Sequence, residues 1–209
     1  MGNKIYTICR EFGSGGKEVG EKLAARLGIK LYDKELLQQA AKDSGFCEEI
    51  FENHDERPTN SFLYSLVMDT YSVSGYSSAP FLDMPLNHKV FLAQFDTIKK
   101  IAERESCVIV GRCADYALAE NPDCINVFIH ADMDFRIKRV SKDLDITENK
   151  AKDYIQKQDK QRASYYNYYT SKKWGDSKSY HLTLDNSKLG SDNCVEMILR
   201  FRELMDASK

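Results

Sequence analysis

The chain has 209 residues, 42% apolar and 30% charged, with a formal net charge of −2. This length and balance suit one α/β domain over 1–209 with a sizeable core, and they argue against a disordered chain. No apolar stretch approaches the about 20 residues that span a bilayer, and near-neutrality gives no global field toward nucleic acid or membrane.

Ile5 to Cys9 is short, β-branched and aromatic, and reads as a first buried strand. It turns polar too quickly for a secretory segment, and a strand accounts for this start better than a myristoylated Gly2 does. The strand runs into Gly13-Ser14-Gly15-Gly16, after which Val19, Leu23 and Leu27 recur every four residues on one helical face. Gly28 is a plausible stop. Ile29 to Tyr32 predicts a second strand, and Asp33 can cap the helix beginning at Lys34. Gly45, Pro58, Gly75, Pro80 and Pro85 then break the pattern, so 43–88 reads as a helical insertion carrying Ser/Tyr clusters at 70–78. Helical spacing resumes near Lys89 with Phe91, Phe95, Ile98 and Ala102. Cys107 to Val110 is the continuous apolar run of a strand buried on both faces, ending at Gly111-Arg112. Ile125 to Ile129 is another, followed by a charged helix from about Asp132 to Lys142. A polar helix runs from about Thr147 to Ala163, with Thr147 a possible cap. The tyrosine-rich stretch Tyr165 to Tyr169 follows it. Tyr180 to Leu184 predicts the last strand, before a helix bearing Val195, Ile198, Leu199 and Arg202. Five strands alternating with helices imply a parallel, doubly wound sheet with right-handed crossovers.

Six cysteines, at 9, 47, 107, 113, 124 and 194, include no Cys-x-x-Cys pair and no histidine at metal spacing. Free thiols in a reducing cytoplasm fit this better than a disulfide framework. His54, His88, His130 and His181 form no cluster.

Strand, glycine-rich turn and helix together make an anion site. The glycines let several N–H groups point inward, and the new helix adds its positive dipole end. Lys17 at the helix start brings a full charge to a β- or γ-phosphate. Against the P-loop pattern G-x-x-x-x-G-K-[ST], Gly16-Lys17 match, but Glu11 stands at the first glycine and Glu18 at the hydroxyl that normally binds Mg²⁺. Ser14 is the one nearby substitute for that hydroxyl. A turn with no ligand is the alternative reading of the same residues.

Taken in order, several segments resemble the cytidylate kinase-like family of P-loop kinases. They are Ile8 to Gly20, Leu31 to Leu36, Val110 to Tyr116, Val127 to Ala131 leading to Arg136 and Arg139, and Asp159 to Arg162 through Tyr165-Tyr166 to Trp174-Gly175-Asp176. The glycine turn with Glu18 looks like a divergent branch, and 43–88 is the weakest part of the likeness. The resemblance implies a three-layer P-loop NTPase fold: a five-stranded parallel sheet, an acceptor-side insertion at 43–88 and a helical lid at 143–178. It also implies ATP and Mg²⁺ as cofactors, with no metal ligand assignable from sequence.

In such kinases the acceptor is already an anion, so alignment and charge matter more than a general base. Arginines just past strand ends suit that work. By resemblance Arg112 binds the acceptor nucleotide, Arg136 flanks the donor or lid, and Gly13, Ser14, Gly15, Gly16, Lys17 and Glu18 hold the donor phosphates. Asp159 and Arg162 resemble the lid's D-x-x-R, with Arg162 moving onto the transferring group and Asp159 holding it. Asp33 either caps its helix or orients the acceptor. Arg112 and Arg162 also read as ordinary surface ion-pair partners, and Arg136 and Arg139 as one solvated helix face. Twelve Lys/Arg against six Asp/Glu between Arg136 and Lys178 is a local excess of +6 that favours phosphate contact. Arg10 and Glu11 pair with neighbours or touch ligand, and the tyrosines stack on a base or pack the lid; the sequence leaves both open.

The expected function is phosphoryl transfer from ATP to a nucleoside monophosphate, CMP or dCMP by resemblance, in the cytoplasm, with small nucleotides as partners, no nucleic acid or membrane, and an oligomeric state that the sequence leaves open. The competing readings are a catalytically weak nucleotide-binding module, which a carboxylate at 11 and 18 favours, and a kinase for another small acceptor.

Overall fold

The computed structural model describes residues 3–45, 47–56 and 84–208. The Ser/Tyr clusters at 70–78, with Pro58, Gly75 and Pro80, lie outside them. Five parallel strands form one sheet: β1 (Ile5–Arg10), β2 (Lys30–Tyr32), β3 (Cys107–Val110), β4 (Cys124–His130) and β5 (Leu182–Asp185), in the order β2-β3-β1-β4-β5. β1 is central, in register with β3 from Ile5 opposite Cys107 and with β4 from Ile5 opposite Cys124.

The apolar runs alternate faces, as a two-residue period demands. Tyr6, Ile8, Val108, Val110, Ile125, Val127 and Ile129 face α1 (Gly16–Leu27), through Val19 and Leu23, and the C-terminal helix Ser191–Ala207, through Val195 and Ile198. Ile5, Cys107, Ile109 and Cys124 face the other way. They meet Leu36 of α2 (Lys34–Ser44), Ile98 and Ile101 of a long helix Leu86–Arg104, and Ala114 of a short helix Ala114–Ala117. Each fully buried Ile, Leu or Val contributes about 1.5–3 kcal/mol to this three-layer α/β core. Between α2 and the long helix, α3 (Glu48–His54) packs Phe51 with Leu37, Ala40 and Val90. In chain order the later helices are α4 (Leu86–Arg104), α5 (Ala114–Ala117), α6 (Met133–Leu144), α7 (Glu148–Thr170), α8 (Asn186–Leu189) and α9 (Ser191–Ala207).

Three element ends depart from expectation. α4 starts at Leu86, not Lys89, because the Pro85 carbonyl accepts from the His88 and Lys89 amides at 3.0 and 3.2 Å. α7 does not stop at Ala163 but continues through the tyrosines to Thr170. Tyr165, Tyr166 and Tyr169 repeat on one face, and Tyr169 stacks on Phe91 of α4 with centroids 4.0 Å apart. The Tyr166 hydroxyl donates to Asp115 at 2.7 Å. These rings pack helix on helix. The last strand begins at Leu182, since Tyr180 instead packs on Phe128 beside a 3₁₀ turn at Ser177–Ser179. All six cysteines are free, and no described helix is long and apolar enough to cross a membrane.

Candidate active site

β1 ends beside β4, where the Glu11 amide donates to Ile129 O at 3.0 Å, and the chain then turns through Gly13 (φ +76°) and Gly15 (φ +83°) into α1. Side chains rarely adopt that left-handed backbone, and a Cβ at Gly15 would stand 2.4 Å from Asn186 Nδ2. Asn186 holds the turn by donating to Ser14 O at 2.7 Å. The Ser14 hydroxyl is fully buried and bonds Glu11 O at 2.9 Å or Ile129 O at 3.1 Å, so it is spent inside the fold. The first helical bond of α1 runs from Val19 N to Gly15 O. The amides of Gly15, Gly16, Lys17 and Glu18 therefore have no acceptor among the described residues, which is the cradle a phosphate chain fits.

The two carboxylates beside this cradle, Glu11 and Glu18, line the same cleft but are paired. Glu11 accepts from the Ala131 amide at 3.2 Å and pairs with Arg136 at 3.1 Å. Glu18 accepts from Ser191 at 2.7 Å and Arg139 at 2.9 Å, and these bonds hold its carboxyl down at about 2. Arg136 is buried, not on a solvated face. It donates through Nε to Phe12 O at 2.8 Å and through Nη2 to Asp159. Asp159 also takes the Phe12 amide at 2.8 Å, so Arg136 and Asp159 tie α6 and α7 to the backbone of the turn. Asp159 does not hold Arg162, although the two sit three residues apart on one helix. Arg162 reaches Glu56 at 3.3 Å and Arg10 O at 3.3 Å instead.

Lys17 is half-exposed and leans on Asp33, 3.1 Å away. Asp33 stands at the start of α2, yet its carboxylate makes no capping bond; it faces Lys17 and Arg112, 3.2 Å away. Burial alone would raise the Asp33 pKa, but Arg112, Lys17 and Arg10 together outweigh it and hold the carboxyl below its usual range. Arg112 is 4% exposed with a left-handed backbone, φ +55°. Asp55 grips it in two places, Nε at 2.9 Å and Nη2 at 2.7 Å, while Nη1 also donates to Val110 O at 3.1 Å. Its amide donates to Glu56 at 3.1 Å. Burial pushes the Asp55 carboxyl up despite Arg112; the Glu56 carboxyl is held well down because Arg10, Arg162 and Arg112 together outweigh its burial. Sequence reading left Arg10 open and missed Asp55 and Glu56. No spacing marks them, since their partners lie 46 to 106 residues away along the chain.

Both groups open into one cleft of about 780 Å³ lined by the glycine turn, Lys17, Asp33, Arg10, Arg112 and Arg162. Polyphosphate fits its residues. The two positions that the sequence offered for Mg²⁺ are not free for it as folded, since Ser14 and Glu18 are engaged elsewhere, and no cluster of three His, Cys, Asp or Glu suited to a metal occurs among the described residues. A divalent ion here would be held mainly by the phosphates it arrives with.

An uncharacterized protein from Eubacterium ventriosum is 33% identical, with a TM-score of 0.72 over 96% of this chain and 99% of its own. A shikimate kinase from Bacteroides thetaiotaomicron shares the fold at 14% identity and a TM-score of 0.54, over 96% of this chain and 98% of its own. Among curated proteins no relative matches. The sequence profile of the cytidylate kinase-like family matches residues 5–188, which take in the glycine turn, the Gly111-Arg112 corner and the helix carrying Arg162, and the chain belongs to that family.

Proposed function

We propose that the chain transfers the terminal phosphoryl group of ATP to a nucleoside monophosphate, CMP or dCMP, in the cytoplasm. Family membership supports a kinase in general. The observation that carries phosphoryl transfer is the row of unpaired amides from Gly15 to Glu18 sharing one cleft with Arg10, Arg112 and Arg162, while the cytidine acceptor rests on the family resemblance alone. Bound ATP supplies the transferable group. The amides hold its phosphates, and Lys17 exchanges Asp33 for an oxygen near the scissile bond. The acceptor phosphate approaches Arg112 by displacing the Asp55 carboxylate, whose burial already disfavours its charge. Residues 143–178 act as the lid and 43–88 as the acceptor-side insertion, with Arg162 closing over the cleft and excluding water. No step here runs through a protein-held metal.

A catalytically weak nucleotide-binding module is favoured by one observation, the saturation of Arg112 by Asp33 and Asp55. A coupled assay of ADP release with MgATP and each common nucleoside monophosphate separates the two. The kinase reading expects turnover with one cytidine-type acceptor, lost in Lys17→Ala. A thermal shift with ATP but no turnover with any acceptor establishes the weak module instead.

A further inference from the structure

Arg10 lies where the two walls of the cleft meet. Its stem crosses Gly16, where an added Cβ would stand 2.4 Å from Arg10 Cβ. Its head reaches Gly111, where an added Cβ would stand 2.1 Å from Nη1 and 2.3 Å from Glu56 Oε1. One side chain thus runs from the amides of the glycine turn to the Gly111-Arg112 corner, along a path that two glycines keep open. At the far end Nη1 donates to Glu56 Oε1 at 2.8 Å, and Glu56 Oε2 accepts from Arg162 Nε at 3.3 Å. Two guanidiniums that would repel each other share one carboxylate. Glu56 holds this place with a left-handed backbone, φ +49°, an unfavourable conformation kept only where surrounding bonds enforce it.

The remaining donors differ between the arginines. Arg112 gives Nε, Nη1 and Nη2 to Asp55, Asp33 and Val110 O. Arg10 Nε and Nη2 and Arg162 Nη2 have no acceptor among the described residues, and both side chains line the cleft. From this arrangement we infer that Arg10 is a catalytic residue that binds the phosphoryl group in transit, and that Glu56 is the positioning residue that aims Arg10 and Arg162 together. The inference rests on the kinase reading above. In the transfer, an oxygen of the acceptor phosphate bonds the γ-phosphorus as the bridging P–O bond breaks, and that bond's electron pair stays on the departing diphosphate. Charge builds on the equatorial oxygens and the breaking bridge, where a guanidinium fixed on one edge offers its other edge without reorganising. The arginines gain and lose no proton.

The test uses the full chain and two variants. Arg10→Lys keeps the charge but replaces a planar fork with one ammonium, which cannot serve Glu56 and a phosphoryl oxygen in the same geometry. With MgATP and the acceptor found in the monophosphate panel, it is expected to lower kcat about 100-fold or more with the ATP KM within about threefold. Glu56→Gln is expected to lower kcat about tenfold, again with little change in KM. Melting curves of both accompany the kinetics. A kcat that stays at the wild-type value in Arg10→Lys, or falls only as far as the folded fraction does, overturns the inference. So does a Glu56→Gln protein that turns over faster or binds inorganic tripolyphosphate more tightly, because the carboxylate would then occupy the phosphate site and not position the arginines. If wild type turns over no acceptor, the kinase reading fails separately, and calorimetry with MgADP and aluminium fluoride, which mimics the phosphoryl group in transit, decides this one. A tenfold weaker Kd in Arg10→Lys supports it, and an unchanged Kd overturns it.

Discussion

On one wall of the cleft, Gly15, Gly16 and Lys17 offer backbone amides, and the neighbouring carboxylates Glu11 and Glu18 are drawn off by Arg136 and Arg139. On the other wall the anion receptors are side chains, and carboxylates already sit on them: Asp55 and Asp33 on Arg112, Glu56 on Arg10 and Arg162. On the proposed reading the first wall takes polyphosphate as folded, because backbone dipoles cost nothing to orient once the turn exists. The second is balanced, three arginines against three carboxylates, so an acceptor phosphate reaches Arg112 by exchange, while Arg10 and Arg162 keep free edges toward the cleft. Donor binding should therefore depend on space at the turn, and acceptor binding on how tightly the carboxylates hold.

The harshest way to break the contrast is Gly16→Ala. Its Cβ would meet Arg10 Cβ at 2.4 Å and Ile129 Cβ at 3.4 Å, atoms close to backbone that have little room to move. Calorimetry should show no ATP binding, and denaturant unfolding a loss of about 2–3 kcal/mol from overpacking. Gly111→Ala should separate folding from function. Its Cβ meets only the movable ends of Arg10 and Glu56, at 2.1 and 2.3 Å, so stability should drop by about 1–2 kcal/mol for the left-handed backbone. Turnover should fall about tenfold or more as the Arg10–Glu56 pair is displaced. An intact kcat would mean that this ion pair has no part in transfer.

Asp55→Asn sharpens the second wall. A neutral amide competes less well for Arg112, so the acceptor KM should drop by about three- to tenfold with the ATP KM unchanged. A rise would show that Asp55 orients Arg112 for the acceptor and does not exclude it. The smallest effect belongs to Glu18, whose carboxyl is lowered from 4.5 to about 2 by Ser191 and Arg139. A lowered acid stabilises the fold above its unfolded pKa, and that contribution disappears as pH falls from about 4.5 toward 2. Glu18→Gln should melt slightly below wild type at pH 7 and converge with it across that window. Parallel curves down to pH 2 would remove Glu18 from the acid limb.

The strands, the glycine turn and α1 were legible because local rules write them. Cys107 to Val110 is apolar throughout because both faces of its strand are covered, and Gly13 and Gly15 stand where the backbone is left-handed. The expected cap at Asp33 shows where that legibility stops. Its position at the start of α2 follows from local pattern, but its carboxylate serves Arg112, 79 residues away along the chain. Asp159 likewise sits three residues from Arg162 on α7 and bonds Arg136 of α6 instead. Glu56, within the 43–88 insertion, carried no periodic signal at all.

What this sequence determined by itself was its sheet, the helices against it and the glycine turn, since these follow from side-chain periodicity and backbone freedom within a few residues. Which carboxylate each arginine holds was decided only by the tertiary structure. Any guanidinium attracts any carboxylate, and folding alone brought Arg10 within 2.8 Å of a partner 46 residues along the chain.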